Sequence, residues 1–169
     1  HMSTDCVFSG SKGRYLDDDI PDAHDLYGVS KRLGEIDYPN AVTLRTSIIG
    51  HELNGNRSLI DWFLSQEGSV KGFSNAIFSG LPTVEIARII KDYVIPNKEL
   101  RGLYHVSADP INKYDLLSMT ADIYGHNTKI IEDTDLKIDR SLDSARFRAV
   151  TGFKPDPWHE MITTMKNFG

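Results

Sequence analysis

Tyr27 and Lys31 stand four residues apart, a spacing that sets a phenol and an ammonium on one face of a helix. An ammonium so placed makes the phenol a usable proton donor near neutral pH. About twenty residues upstream, Ser3-Thr4-Asp5-Cys6-Val7-Phe8 joins hydroxyl and carboxyl groups to an apolar run. A strand carrying them is a natural second wall for such a site.

The elements that must position these groups can be read from periodicity. Residues 4–8 (TDCVF) form a short buried strand, and the polar, glycine-rich stretch 9–25 is a long loop, a type that is usually functional or disordered. Asp25 or His24 starts the next helix, with Leu26, Val29, Leu33 and Ile36 at helical spacing. Gly34 inside it costs about 1 kcal/mol against Ala, which predicts a close helix-to-sheet contact as compensation. Asp37-Tyr38-Pro39-Asn40 closes it, since proline cannot continue a helix. Residues 41–49 read as a second buried strand, ending at Gly50. Arg45 at its middle requires either a partner or a ligand near the strand end, because an unpaired buried cation is very costly.

Beyond Gly50, residues 58–66 form a short helix buried on more than one side, and 70–73 and 76–79 are brief strands. Pro82 and Thr83 introduce a helix over 84–94, followed by a third buried strand over 103–107. Asn112 caps a helix through Tyr124 with Asp115 as its capping partner. A small strand over 128–132 and helices over 141–150 and 159–168 complete the chain. Strands separated by helices predict a parallel sheet with right-handed crossovers.

With 169 residues the chain can bury a real core. Its net charge of −5 disfavours nonspecific binding to nucleic acid or anionic membranes, so an anionic ligand must be met by local cations. The single Cys6, read as a small buried apolar residue, excludes a disulfide framework and favours a cytoplasmic setting. No apolar run approaches the ~20 residues that span a bilayer. His1-Met2 reads as a cloning remnant. The six histidines have no metal spacing, and no metal is expected.

Taken in order, STDCVF, DLYGVSKRLGE, LRTSIIG, Gly80-Leu81-Pro82-Thr83, Gly102-Leu103-Tyr104-His105-Val106, Arg140-Ser141-Leu142-Asp143-Ser144 and Thr151-Gly152-Phe153 carry a resemblance that covers nearly the whole chain. They resemble the short-chain dehydrogenase/reductase superfamily, its extended branch acting on nucleotide sugars, and within that the dTDP-4-dehydrorhamnose reductase group. The resemblance implies an α/β fold, a truncated doubly wound (Rossmann-like) parallel sheet with a smaller α/β substrate domain. Residues 3–50 and 101–109 would be the remnant of the dinucleotide-binding domain, and 51–100 and 110–169 the substrate-binding portion. Family members open with a strand, a Gly-rich turn and a helix that hold the cofactor pyrophosphate. Here Gly10 and Gly13 open no helix, so the chain reads as the C-terminal part of such an enzyme, inactive and binding no dinucleotide by itself.

The same resemblance distributes roles. Tyr27 is the catalytic acid, Lys31 supports the phenol and the nicotinamide ribose, and Thr4 hydrogen-bonds the sugar oxygen at the reacting carbon. Asp5 supplies a second acid, orients substrate or merely forms a turn. Ser3 is a weaker candidate, and Cys6 stands where the group often has a tyrosine. Thr46, Ser47 and Ile48 line the nicotinamide pocket together with Tyr27 and Lys31. Trp62, Lys71 and Arg140 fall in the substrate portion; Arg140 could clamp a pyrophosphate, and Trp62 could stack on a base or fill the core. The implied parent uses NADPH or NADH to reduce a 4-keto nucleotide-linked deoxysugar for polysaccharide synthesis. An epimerase or dehydratase of the same superfamily is an alternative, though dehydratases typically carry Asp-Glu after the Thr. A non-catalytic binding or structural module is another. In the family's strand order the strand over 4–8 has an absent neighbour, which predicts a homo-oligomer formed through that edge, or a segment 3–25 remodelled to cover Val7 and Phe8.

Overall fold

The computed structural model describes residues 1–36 and 38–169. In chain order its elements are β1 (Met2–Thr4), a 3-10 turn (Asp5–Val7), α1 (Leu26–Leu33), β2 (Val42–Thr46), β3 (Ile48–Ile49), α2 (Leu59–Leu64), β4 (Ser69–Phe73), β5 (Ala76–Phe78), β6 (Leu81–Pro82), α3 (Thr83–Ile89), a π-helical turn (Ile90–Val94), β7 (Gly102–His105), β8 (Ile111–Asn112), α4 (Lys113–Tyr124), β9 (Lys129–Asp133), β10 (Ile138–Asp139), α5 (Ala145–Thr151) and α6 (Trp158–Phe168). The fold is α/β. β1, β2 and β7 form a parallel sheet in that order, with β2 central. Smaller groupings surround it: β3 with β6, β4 with β9, and a mixed sheet in which β5 pairs parallel with β10 and antiparallel with β8. The wholly parallel sheet expected from the sequence is therefore accompanied by one antiparallel pair.

The core runs through both expected portions. Leu44 and Tyr104 from the parallel sheet share one apolar cluster with Ile86 and Ile89 of α3, Phe147 of α5 and Met161, Ile162 and Met165 of α6. In α6 the buried positions recur at helical spacing, which is why one face of the helix packs on α3, α4 and β6.

Several boundaries differ from the sequence reading for identifiable reasons. Met2 pairs with Leu44, so the strand starts one residue into the supposed cloning remnant. It ends at Thr4, because the Thr4 hydroxyl accepts the Cys6 N–H at 3.1 Å and caps a 3-10 turn instead of letting the strand continue to Phe8. α1 ends at Gly34, not at the Tyr38-Pro39 step; Asp37 lies outside the described residues. The helix after Pro82 changes to π winding at Ile90, with the Ile95 N–H reaching the Ile90 carbonyl at 2.9 Å. Ser141 and Leu142 are extended, Leu142 bridging to Tyr15, and α5 begins only at Ala145.

The long segment 9–25 is ordered over the sheet end. Tyr15, 3% exposed, stacks on Phe8 with ring centroids 4.0 Å apart, and both pack with Val7 and Leu142. Val7 and Phe8 are thus fully buried, which is the covering alternative among the two expectations for this segment.

Candidate active site

Two threonines mark the carboxyl end of the parallel sheet. Thr4 and Thr46 are register partners at the ends of β1 and β2, the end at which open α/β sheets hold ligands. Thr4 is buried, and its hydroxyl also donates to Asp5 Oδ1 at 3.2 Å. Thr46 is buried too and donates to the Ser47 carbonyl at 3.3 Å.

α1 is seated beside this end by a glycine. Asp25 caps it by accepting the Gly28 N–H at 2.9 Å. A Cβ on Gly28 would stand 2.3 Å from the Cys6 carbonyl oxygen and 2.7 Å from Ala23 Cβ, so the helix backbone rests directly on the 3-10 turn. Gly34, by contrast, touches no sheet: a Cβ there would meet only the Ser30 and Lys31 carbonyls at 3.5 and 3.6 Å. The close contact expected at Gly34 belongs to Gly28, the residue after Tyr27.

Lys31 donates from Nζ to the Met2 carbonyl at 2.9 Å, which ties α1 to β1. Tyr27 is 56% exposed, and its hydroxyl has no hydrogen-bond partner among the described residues. Two turns along, Glu35 accepts both arms of Arg45, Nε at 2.7 Å and Nη2 at 2.8 Å, and the Ser3 hydroxyl at 2.7 Å. Burial alone would raise the Glu35 carboxyl, but these donors hold it below its ordinary value. Arg45 therefore satisfies its buried charge with a protein partner and also lies over the Phe8 ring. Its Nη1 faces His105 Nε2 at 3.4 Å, while His105 Nδ1 meets the Tyr15 carbonyl at 2.9 Å. Only a protonated Nδ1 can bond a carbonyl, which leaves Nε2 as the acceptor of a neutral ring. Burial pushes that imidazole below its ordinary value.

Next to the 3-10 turn opens a cavity of about 240 Å³. Asp5 and Cys6 form one wall, Ser47 and Ile48 a second, and Phe78 and Ile138 a third, with Arg140 and Lys113 contributing cations. Cys6 is thus not in a strand but on the cavity wall, its thiol pushed up first by burial and then by the neighbouring Asp5. Burial holds the Asp5 carboxyl above the ordinary carboxylate range, against the pull of Thr4, Arg140 and Lys113. Arg140 donates to the Phe8 carbonyl at 2.9 Å and makes no ion pair among the described residues. Lys113 was not singled out by the sequence. Its one signal was its sign: a cation at the first position of a helix opposes the macrodipole.

The remaining candidates lie elsewhere. Lys71 pairs with Asp133 at 2.6 Å on the exposed β4–β9 ribbon, and Trp62 is 37% exposed on α2; neither lines the cavity. A larger cavity, about 520 Å³, is lined by His51, Thr83 and Met165 and by none of the candidate residues. Among the described residues no three His, Cys, Asp or Glu side chains gather into a metal site, and no helix is long and apolar enough to cross a membrane.

An α/β fold whose parallel sheet carries two buried threonines at its carboxyl end, with a helix seated on the turn beyond it, is a Rossmann-like architecture. Residues 1–167 match the RmlD substrate binding domain, and the chain belongs to that family. It is 29% identical to methionine adenosyltransferase 2 subunit beta of Danio rerio, over 73% of this chain and 42% of that protein. It is 30% identical to the spore coat polysaccharide biosynthesis protein SpsK of Bacillus subtilis, over 96% of this chain and 61% of that protein. Among solved structures, a hypothetical dTDP-4-dehydrorhamnose reductase from Sulfolobus tokodaii superposes with a TM-score of 0.76 at 26% identity, covering 94% of this chain and 60% of that one. The dTDP-4-dehydrorhamnose reductase of Bacillus anthracis, in complex with NADP, superposes with a TM-score of 0.80 at 17% identity, covering 100% and 65%. The chain thus spans less than two thirds of the length of each.

Proposed function

We propose that this chain is the catalytic and substrate-binding part of an NAD(P)H-dependent reductase that acts on a 4-keto nucleotide sugar in polysaccharide precursor synthesis. The observation that carries the reading is the seating of α1, in which Gly28, next to Tyr27, rests on the turn after Thr4 and Lys31 is tied to β1 at Met2, with a cavity edged by both charges on the other side of that turn's residues Asp5 and Cys6. The family membership and the likeness to reductases, one of them holding NADP, support it.

A bound nicotinamide supplies the hydride. Tyr27, with its hydroxyl exposed and unengaged, donates the proton that the forming C4 alkoxide takes up. The Thr4 hydroxyl hydrogen-bonds the same oxygen and fixes the carbonyl against the strand end. Lys31 spends one N–H on the Met2 carbonyl, which leaves two for the phenol and a ribose hydroxyl. Thr46, Ser47 and Ile48 close the nicotinamide side, and Arg140 holds an anionic part of the substrate. These residues fit the nicotinamide end of a dinucleotide. The sequence has no Gly-rich strand-turn-helix for the pyrophosphate end, so the 169-residue chain alone should neither bind dinucleotide nor turn over substrate.

The test has two arms. Calorimetry on the chain should show no submillimolar NADPH binding. In a protein extended by the Gly-rich half, Tyr27→Phe should abolish turnover of a dTDP-4-keto sugar while substrate binding persists. Wild-type turnover in that variant would overturn the assignment of Tyr27. A module that binds sugar nucleotides without turnover is the second reading, favoured by that missing turn; it predicts no cofactor response even in the extended protein.

A further inference from the structure

Resting on the nucleotide-sugar reading, we infer that Lys113, hitherto without a role, contacts substrate and together with Arg140 holds a phosphoryl oxygen in the cavity beside Asp5. The side chain starts at the first residue of α4, directly after the Asn112 cap. Its ammonium lies 4.0 Å from the centroid of the Phe78 ring and forms no hydrogen bond or ion pair among the described residues. Two unfavourable terms meet here: a cation at the positive end of a helix, and a largely desolvated charge. Nothing in the fold requires a lysine at that position, since Asn112 and Asp115 already complete the cap. An anion entering the cavity would offset both terms.

The charges facing the ammonium support the choice of anion. Asp5 and Cys6 act on it from the 3-10 turn and Arg140 lines the same cavity from the end of β10, while β5 and β8 contribute no titratable side chain to the cavity. Burial brings the Lys113 ammonium down to about 8 despite the opposing pull of Asp5. Burial also holds Asp5 toward its neutral form and Cys6 toward the thiol. The cavity therefore carries two cations against at most one anion, with Ile48, Phe78 and Ile138 excluding water around them. A singly or doubly charged phosphoryl group balances that set. A neutral sugar alone does not.

The test uses the 169-residue chain with inorganic pyrophosphate and dTDP as probes, and thymidine as the uncharged control. Lys113→Met should weaken pyrophosphate binding on the order of ten- to a hundredfold, the span expected for one hydrogen bond between charged groups. Lys113→Arg should restore it. Raising the pH from 7 to 9.5 should weaken binding to wild type as the lysine loses its proton, and should leave the arginine variant much less affected. Thermal melting confirms that the variants are folded, and removing a desolvated charge should leave Lys113→Met melting no lower than wild type. Pyrophosphate binding that is absent, or indifferent to Lys113→Met, overturns the inference. Pyrophosphate binding that depends on Lys113, with dTDP no tighter than pyrophosphate, sustains this anion site and counts against the nucleotide-sugar reading instead.

Discussion

Alanine at Gly28 and at Gly34, six residues apart in α1 and its cap, should move stability in opposite directions. At Gly34 the backbone is already right-handed, φ −87°, and a Cβ would find ordinary contacts at 3.5 and 3.6 Å. Reduced freedom of the unfolded chain should then stabilise the variant by about 0.4–1 kcal/mol. At Gly28 the helix gains about 1 kcal/mol from the better propensity of Ala. Against this, the new methyl would stand 2.3 Å from the Cys6 carbonyl and 2.7 Å from Ala23 Cβ. Ordinary contact needs about 3.5 Å, so helix and turn must separate by about 1 Å. Overpacking costs about 1–3 kcal/mol, and the upper part of that range applies because the obstacle is a backbone carbonyl in a turn pinned by Thr4. Net, Gly28→Ala should lose about 1–2 kcal/mol, which puts the two variants about 1.5–3 kcal/mol apart. Urea titration of the chain followed by circular dichroism should resolve this as a shift in midpoint at constant slope. A Gly28→Ala protein as stable as wild type would mean that α1 does not rest on the turn, and the seating of Tyr27 would have to be argued afresh. In an active, extended protein the same 1 Å displacement should cost on the order of a hundredfold in turnover.

Arg45→Leu should cost about 3 kcal/mol by leaving the Glu35 carboxylate without its cation, and Arg45→Leu/Glu35→Leu should recover most of it; equal losses in urea midpoint would refute the pairing. His105, whose value in the fold lies below the ordinary 6.5, contributes stability that is in place above pH 6.5 and is lost as pH falls through the lower folded value. Stability measured from pH 7.5 to 5 should therefore fall more steeply in wild type than in His105→Gln, and identical slopes would sink this account. Among the described residues β1 has one edge unpaired, and α1 beside it exposes Leu26 and Leu33, so light scattering at high protein concentration should show dimers; a strict monomer would remove the edge from consideration.

Local chemistry was the legible part of the sequence. The Tyr27-x-x-x-Lys31 face, the Asn112 cap and the central strand around Arg45 each depend on residues within one turn or one strand, and each was readable there. The end of β1 was not, because Thr4 is a plausible strand residue by type and only its own hydroxyl, bonding two residues on, stops the strand. Gly34 was credited with a contact that Gly28 makes, since spacing cannot tell a glycine that admits a neighbour from one that ends a helix. The cover over Phe8 was equally hidden: Tyr15 sits in a stretch whose composition reads as loop, and its ring is held by Leu142, more than a hundred residues away.

The cavity shows why the missing parts are the ones that select a ligand. Its walls come from residues 5–6, 47–49, 59, 76–78, 113, and 138 and 140, six segments that no periodicity relates. Tyr27, Lys31 and Thr4, proposed to handle a proton and one oxygen, depend on one helix seated by Gly28 on one turn and tied by Lys31 to β1. Lys113 and Arg140 line the cavity beside Asp5 and Cys6 from the far end of the sequence, and altering either should change which anion fits while leaving Tyr27 untouched. Turnover should therefore follow the α1 contact, and preference among substrates should follow the residues that meet in the cavity. A Lys113 variant in an active, extended protein should raise KM for an anionic substrate far more than it lowers kcat, and an equal loss in both would place the ammonium in the transition state instead.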